Sequence, residues 1–373
     1  MSTEIGELVR HSVRTLRPAG PFSPRPESRG LVNLRFNENT FAGAHGRYPD
    51  HGLRALVSRY TAALDRLEPA PEPRHSQGHS QGQDPYDRVL LTRGAVDALE
   101  LVLRTFFEPG RDALAVTPPN FGFFDRLATL HGVERYAVPL RGERYDRLDV
   151  DALLALPVKG VLLCDPNNPT STKVAAGELD ALLRRFGGLV VVDETYAELA
   201  GRPSYRHLIA HHPRLIVLRS LSKGLGMAGL RLGAVFADPV AITALRAAQS
   251  PFAVPGPVID AAMSELSDLS VLRHRIDAFV EERDRLAAAL ARCPLVQEVH
   301  ATAGFVTVEV TDTATAAEAL LEAGLDAVVE PDGLRRHLRI AVATRQENSR
   351  LLAALGAGRD RDLPAATSHV LPY

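Results

Sequence analysis

Lys223 lies in RSLSKGLGMAGLRLG (219–233), among serines, glycines and aliphatic residues. The stretch holds no acid to pair with it, and Arg231 follows eight residues later. Asp193 closes the apolar run LVVVD, where a carboxylate needs a partner or is costly to bury. Tyr196 follows in ETY, and Asn168 sits in CDPNNPTS, a turn stiffened by two prolines. Gly94 opens TRGAVDAL, whose first free N–H groups, at Ala95 and Val96, suit a phosphate at a helix start. Each feature has a plain alternative. Asp193 would serve as a helix cap, Lys223 as a surface lysine, Arg231 as a partner for any carboxylate, and Gly94 as a simple helix start. Together they present a phosphate cradle, an amide, a carboxylate with a phenol, and a lysine with an arginine. One ligand uses all of them: an aromatic aldehyde with a phosphate arm and a pyridine nitrogen.

The positions of these groups follow from the elements around them. VLLT, ALAVT, RYAVPL, GVLLCD, LVVVD, RLIVLRS and LGAVFA are short runs rich in Val and Leu. Without polar alternation, such runs predict strands covered on both faces. Helical spacing recurs at 53–64, after Gly94, and at 121–131, 149–155 and 176–186, which predicts βαβ units and a mostly parallel sheet. Ligands of such sheets bind at the carboxyl ends of the strands, where the candidate groups stand. Beyond PFAVPGP the pattern changes. A long helix is expected over 257–292, strands over 304–310 and 337–343, and helices over 314–323 and 345–355. The expected fold is therefore α/β, a large domain with a helix-covered sheet plus a smaller α+β C-terminal domain. Residues 1–39 are read as an N-terminal arm and part of the small domain, with the polar, Pro-rich 1–30 running over the surface and LVNLRFNEN offering a short strand that runs into a loop. The large domain takes 40–248, the small domain 249–358, and 359–373 a flexible tail.

The 373 residues are 45% hydrophobic and 24% charged, an ordinary globular profile. A formal net charge of −2 gives no general attraction to nucleic acid or anionic membrane. No apolar run is long enough for a membrane span, and the start MSTEIGELVRHSV lacks a signal-peptide core. Cys164 and Cys293 are too few for a disulfide framework or zinc cluster, so a reducing cytoplasm is expected. His75 and His79 lie in a tandem HSQG within a polar, low-complexity stretch and read as loop rather than metal site; no metal is expected.

The motifs RYPD, LTRGAVDALEL, FFEPG, TPPNFGFF, CDPNNPT, VVVDETY, RSLSKGLGMAGLRLG and LRIAVATRQEN occur in that order over most of the chain. With them the sequence resembles the fold-type I pyridoxal-phosphate enzymes of the class I/II aminotransferase superfamily. It is most similar to the histidinol-phosphate aminotransferase branch. The resemblance implies pyridoxal 5'-phosphate as cofactor, held by Lys223 in a Schiff base. The small apolar surroundings of Lys223 would lower its pKa and keep its amine reactive. Asp193 would pair with the pyridine nitrogen, Asn168 and Tyr196 would bond the phenolic oxygen, and Phe121 would stack on the ring. Ser220, Ser222 and Arg231, with the amides of Ala95 and Val96, would hold the phosphate; the planar fork of Arg231 suits two oxygens. Arg339 would grip the substrate α-carboxylate, and Asn37 would line the substrate side. Tyr48 of RYPD would reach the phosphate of a neighbouring subunit, which implies a homodimer with shared active sites.

The activity so implied is transfer of an amino group between an amino-acid-like donor and a carbonyl acceptor. The chain departs from the family pattern at Phe121 for tyrosine, Val96 for a polar residue and NPTS for NPTG, and it carries an extended 68–88 loop. Those departures keep a second chemistry in view: elimination, β- or γ-replacement, C–C bond formation or decarboxylation with the same cofactor. A third class, a non-catalytic ligand-binding regulator, sits poorly with retention of both Lys223 and Asp193.

Overall fold

The computed structural model describes residues 4–16, 36–39, 41–43, 46–49, 53–70, 84–175 and 177–356. The large layer contains, in chain order, α1 (His11–Arg14), α2 (Leu53–Leu67), β1 (Val89–Thr92), α3 (Ala95–Phe106), β2 (Ala113–Val116), α4 (Phe123–Leu130) and β3 (Glu134–Ala137). It continues through α5 (Val150–Ala155), β4 (Gly160–Cys164), α6 (Glu178–Arg185), β5 (Leu189–Asp193), β6 (Leu215–Ser220), β7 (Gly233–Phe236) and α7 (Pro239–Ala248).

Its seven strands run in the order β1-β7-β6-β5-β4-β2-β3. The pairs from β6 to β3 are parallel, while β7 is antiparallel to both neighbours. The loop between β6 and β7 holds one short 3-10 turn, Ala228–Leu230, and no crossover helix, and it returns the chain beside β6 in the antiparallel sense. Successive residues point to opposite faces. Val190 and Val192 therefore pack with α2 and α6, whereas Leu189 and Val191 pack with α3, α4 and α7. Each fully buried valine or leucine contributes about 1.5–3 kcal/mol, so both faces hold the sheet rigid. The edge strand β3 is largely exposed; in the expected RYAVPL strand, the buried apolar residues, Val138 and Leu140, follow it.

The beginning of the chain packs more closely than a surface arm. Ile5, Val9 and Val13 recur every four residues and bury into the α3–α7 face, and Arg10 pairs with Glu108 at 3.1 Å. Most of the strand expected at LVNLRFNEN, the HSQG repeat with His75 and His79, and the tail 359–373 lie outside the described residues.

The small domain expected over 249–358 begins later: α8 (Gly256–Glu265) and the first half of α9 (Leu269–Leu290) bury Ile259, Ala262, Leu272 and Ile276 in the core beside α2, and only the end of α9, from Leu286, joins the smaller layer. That layer adds β8 (Val296–His300), β9 (Phe305–Val310), α10 (Thr313–Glu322), β10 (Val328–Val329), β11 (His337–Ala341) and α11 (Arg345–Ala354). The single helix expected over 257–292 is two helices. Asp268 breaks it by accepting from the N–H groups of Ser270 and Val271, a new N-cap. The four strands form an antiparallel sheet, β10-β11-β9-β8. It includes two strands that periodicity did not reveal: β8, partly exposed, and β10, of two exposed residues. This sheet has its own core, with Val306, Val308, Leu338 and Ile340 against Leu286, Leu290, Leu351 and Leu352.

Candidate active site

One cavity of about 520 Å³ opens where the two layers meet. Ala95, Val96, Phe121, Asn168, Asp193, Tyr196, Ser220, Ser222, Lys223, Arg231 and Arg339 all line it. Asn37 and Tyr48 do not. Asn37 is exposed, and the half-exposed Tyr48 ring stacks on Phe252 at 4.5 Å.

Strand alternation explains the convergence. At the ends of three parallel neighbours, Cys164, Asp193 and Ser220 face the cavity, and the adjoining Asp165, Glu194 and Arg219 enter a buried ionic ladder behind it. Arg202 lies 3.1 Å from Asp165 and 3.7 Å from Glu194. Arg219, fully buried, lies 3.3 Å from Glu194, 2.6 Å from Glu198 and 2.5 Å from Glu68. Arg206 closes the far end on Glu68 at 3.1 Å and Asp65 at 2.7 Å. Glu198 also supports the lysine loop: a Cβ on Gly224 would sit 2.6 Å from the Cβ of Glu198. The backbone after Lys223 thus rests directly on the ladder.

Within the cavity, Asp193 is buried and no described cation lies within ion-pair distance. Its Oδ1 accepts from the backbone N–H of Thr195 at 2.9 Å and from the Thr195 hydroxyl at 2.5 Å. Burial raises the Asp193 pKa, and the two Thr195 bonds partly oppose this. Lys223 opens into the cavity, with Nζ 5.9 Å from the Tyr196 ring centroid. It has no acidic partner among the described residues. Burial, then the positive charges of Arg339 and Arg231, lower its pKa. The amine, expected in small apolar surroundings, is exposed on its cavity side. Burial also raises the pKa of Tyr196, with Cys164 and Asp193 adding to the effect and Arg339 opposing it.

The N-terminus of α3 carries no side-chain cap, and Gly94 there has φ +91°. Arg231 lies across it: a Cβ on Gly94 would be 3.1 Å from Arg231 Nη2. Gly233 permits the close approach of β7, since a Cβ there would sit 2.5 Å from the carbonyl carbon of Gly94. On the other wall, Arg339 Nη1 donates to Asn168 Oδ1 at 2.6 Å, and its guanidinium lies 5.5 Å from the Phe305 ring centroid.

The sequence reading missed Thr195, Cys164, Gly304, Phe305 and Asp326–Val328 as lining residues. Thr195 had a usable signal, its place beside Asp193 at a strand end. Asp326–Val328 had none, because the fold of the small sheet alone brings them to the cavity.

A helix-covered mixed sheet with a smaller antiparallel layer beside it, and a cavity where Lys223 and Asp193 meet no opposite charge among the described residues, match the fold-type I transferases. A family model for aminotransferase class I and II matches residues 62–355, and the chain belongs to that family. It is an aminotransferase of this class, acting on an amino acid or amino-acid-like substrate. It is 38% identical to a histidinol-phosphate aminotransferase of Stenotrophomonas maltophilia, over 94% of this chain and 96% of that one. It is 36% identical to a histidinol-phosphate aminotransferase of Xanthomonas euvesicatoria, over 95% and 97%. Its fold is similar to that of Sinorhizobium meliloti histidinol-phosphate aminotransferase in complex with pyridoxal-5'-phosphate, with a TM-score of 0.67 and 25% identity over 84% of this chain and 83% of that one.

Proposed function

We propose that the cavity holds pyridoxal 5'-phosphate and moves an amino group from an amino-acid-like donor to a carbonyl acceptor. The observation that carries this reading is the pair Asp193 and Lys223. Both ionisable groups line one cavity, and neither has an opposite charge among the described residues.

The residues present fit the cofactor. The uncapped N–H groups at Ala95 and Val96, the hydroxyls of Ser220 and Ser222, and the Arg231 fork supply donors for a phosphate. Phe121 offers an aromatic face, and Asn168 and Tyr196 offer polar groups for a phenolic oxygen. Asp193 would face a ring N–H. A cation there would replace the solvation that burial removes and would favour the carboxylate. When bound, the cofactor supplies an aldehyde for covalent capture of an amine and a ring that accepts electrons from the adjoining carbon.

Lys223 would hold the cofactor. Its Nζ, when neutral, would accept a proton from the amine-bearing carbon of the substrate and could return it. Its lowered pKa favours the neutral amine that this step needs. Arg339, held by Asn168, would orient the substrate by an anion close to the amine-bearing carbon. An α-carboxylate meets that requirement, as does the phosphate ester of histidinol phosphate, the compound in the relatives' names.

Tyr48 is read as serving a second copy of the chain. Its exposure and its absence from its own cavity support that reading.

Visible absorption of the cofactor-loaded protein, together with conversion of the cofactor to its amine form by L-glutamate or L-histidinol phosphate, tests the proposal. Lys223→Ala should remove the absorption band of the linked cofactor and the turnover. A band that survives in Lys223→Ala would refute the assignment of that residue. Formation of a new carbon skeleton without the amine form of the cofactor would refute aminotransfer.

A further inference from the structure

Ser171 stands in the NPTS turn where the family resemblance leads one to expect glycine, and its backbone keeps the conformation that glycine favours. It is fully buried with φ +56°, the left-handed region that costs a residue with a side chain. Its hydroxyl is saturated. It donates to the carbonyl of Phe305 at 2.8 Å and accepts from the N–H groups of Thr302 and Ala303, each at 3.0 Å. The Ser171 carbonyl accepts from Thr302 N–H as well, at 3.0 Å. Glycine would take this backbone at lower conformational cost and would leave the Ala303 N–H and Phe305 carbonyl without these partners.

The segment so held belongs to the small layer and forms part of the cavity wall. Gly304 lies flat on Tyr196: a Cβ there would be 3.2 Å and 3.3 Å from the Tyr196 ring carbons Cδ1 and Cε1. Phe305 meets the same ring edge-on, with centroids 5.4 Å apart, and Arg339 sits above the Phe305 ring. Two neighbours of Ser171 reinforce the seam. The Pro169 carbonyl accepts from the Thr307 hydroxyl at 2.6 Å, and Asn168 accepts from Arg339.

We propose that Ser171 is a positioning residue for the reaction. Its hydroxyl fixes Thr302–Phe305 against Tyr196 and thereby sets the surface on which Arg339 meets the anionic end of the substrate. The substrate half of this inference rests on the role given to Arg339 above; the hydrogen-bonded seam does not. Ser171 acts through the wall and touches none of the reacting groups.

Ser171→Gly and Ser171→Ala in the full chain separate the two contributions. The first removes both the hydroxyl and the backbone strain, and the second removes the hydroxyl alone. Amide hydrogen exchange of the cofactor-free protein should quicken about tenfold or more at Ala303 in both variants, with the β4–β6 segments unchanged. Steady-state kinetics with L-glutamate and with L-histidinol phosphate should show KM raised about tenfold and kcat within about threefold, equally in the two variants. A merely structural serine predicts otherwise, because relief of strain in Ser171→Gly would then restore native KM. Native KM in Ser171→Gly, or unchanged exchange at Ala303 in either variant, would overturn the proposal. Should Ser171→Ala fail to fold, Ser171→Gly decides alone. If native protein turns over neither compound, the reading of the substrate is at fault, and exchange still judges the seam.

Discussion

Arg339 Nη1 donates to Asn168 Oδ1 across 2.6 Å, joining a strand of the small sheet to the turn that follows β4 of the large one. The bond fixes a guanidinium beside the cavity from two separate sheets. Arg339→Lys keeps a charge but loses the planar fork. It should raise KM for an anionic donor about 10–100-fold, in line with the loss of hydrogen bonds to a charged group. A double-mutant cycle of Asn168→Ala and Arg339→Ala should give a coupling of about 1 kcal/mol in kcat/KM. Strict additivity would show that the two side chains act separately.

Asp193 is held in place by Thr195. Asp193→Asn keeps the shape and removes the charge, and should lower kcat about 10²–10³-fold, the scale for removing one preorganised electrostatic group. Thr195→Val leaves the backbone bond at 2.9 Å and removes only the hydroxyl bond, so the loss should be about tenfold. Equal losses in the two variants would mean that position rather than charge dominates at Asp193.

The pH dependence of the cofactor-free protein tests the state of Lys223. Its folded pKa lies below the ordinary 10.5, so the unfolded chain binds this proton more tightly. The destabilising contribution is therefore complete below the lowered folded value. It is relieved as pH rises through that value and is gone above 10.5. Lys223→Met carries no such proton. Its thermal midpoint should exceed that of the native protein at neutral pH, and the gap should narrow toward pH 10.5. Parallel melting curves across that range would contradict the lowered pKa.

The ladder behind the site should be costly to break. Arg219→Met would leave Glu68, Glu194 and Glu198 without their shared cation in the interior. The expected loss is about 3–5 kcal/mol by chemical denaturation. A loss under about 1 kcal/mol would show that the acids are already neutralised by protons, a state that burial favours at Glu194 and Glu198.

Gly233→Ala should disturb the phosphate cradle without touching a charged group. The added Cβ would meet the Gly94 carbonyl carbon at 2.5 Å and the Ala95 nitrogen at 2.8 Å. Backbone must move there, which overpacking data place at about 1–3 kcal/mol. Equilibrium dialysis should show cofactor affinity reduced about tenfold or more, and native affinity in a folded variant would rule out this packing argument.

Much of the large sheet was legible because apolar runs between helical segments admit few other arrangements. The polar groups at their ends had to gather at one edge of that sheet. Lys223 without a neighbouring acid, Asp193 at the end of LVVVD and the glycine before Ala95 were visible as types and spacings. Other features were not local. The helix break at Asp268 turned on a side-chain cap inside an otherwise continuous pattern. β10 was too short and exposed to carry a periodic signal. The Arg219 ladder left no apolar trace, because its members alternate with cavity residues one position away. The sequence by itself determined which groups could do the chemistry and which strand ends carry them, since strand burial and side-chain type are local properties. Only the tertiary structure decided that Arg339 meets Asn168, that Ser171 holds Thr302–Phe305 and that Glu198 supports Gly224. Those partners lie between 26 and 171 residues apart in the chain; packing of the two layers brings the first two pairs into contact, and the pairing of β5 with β6 brings the third.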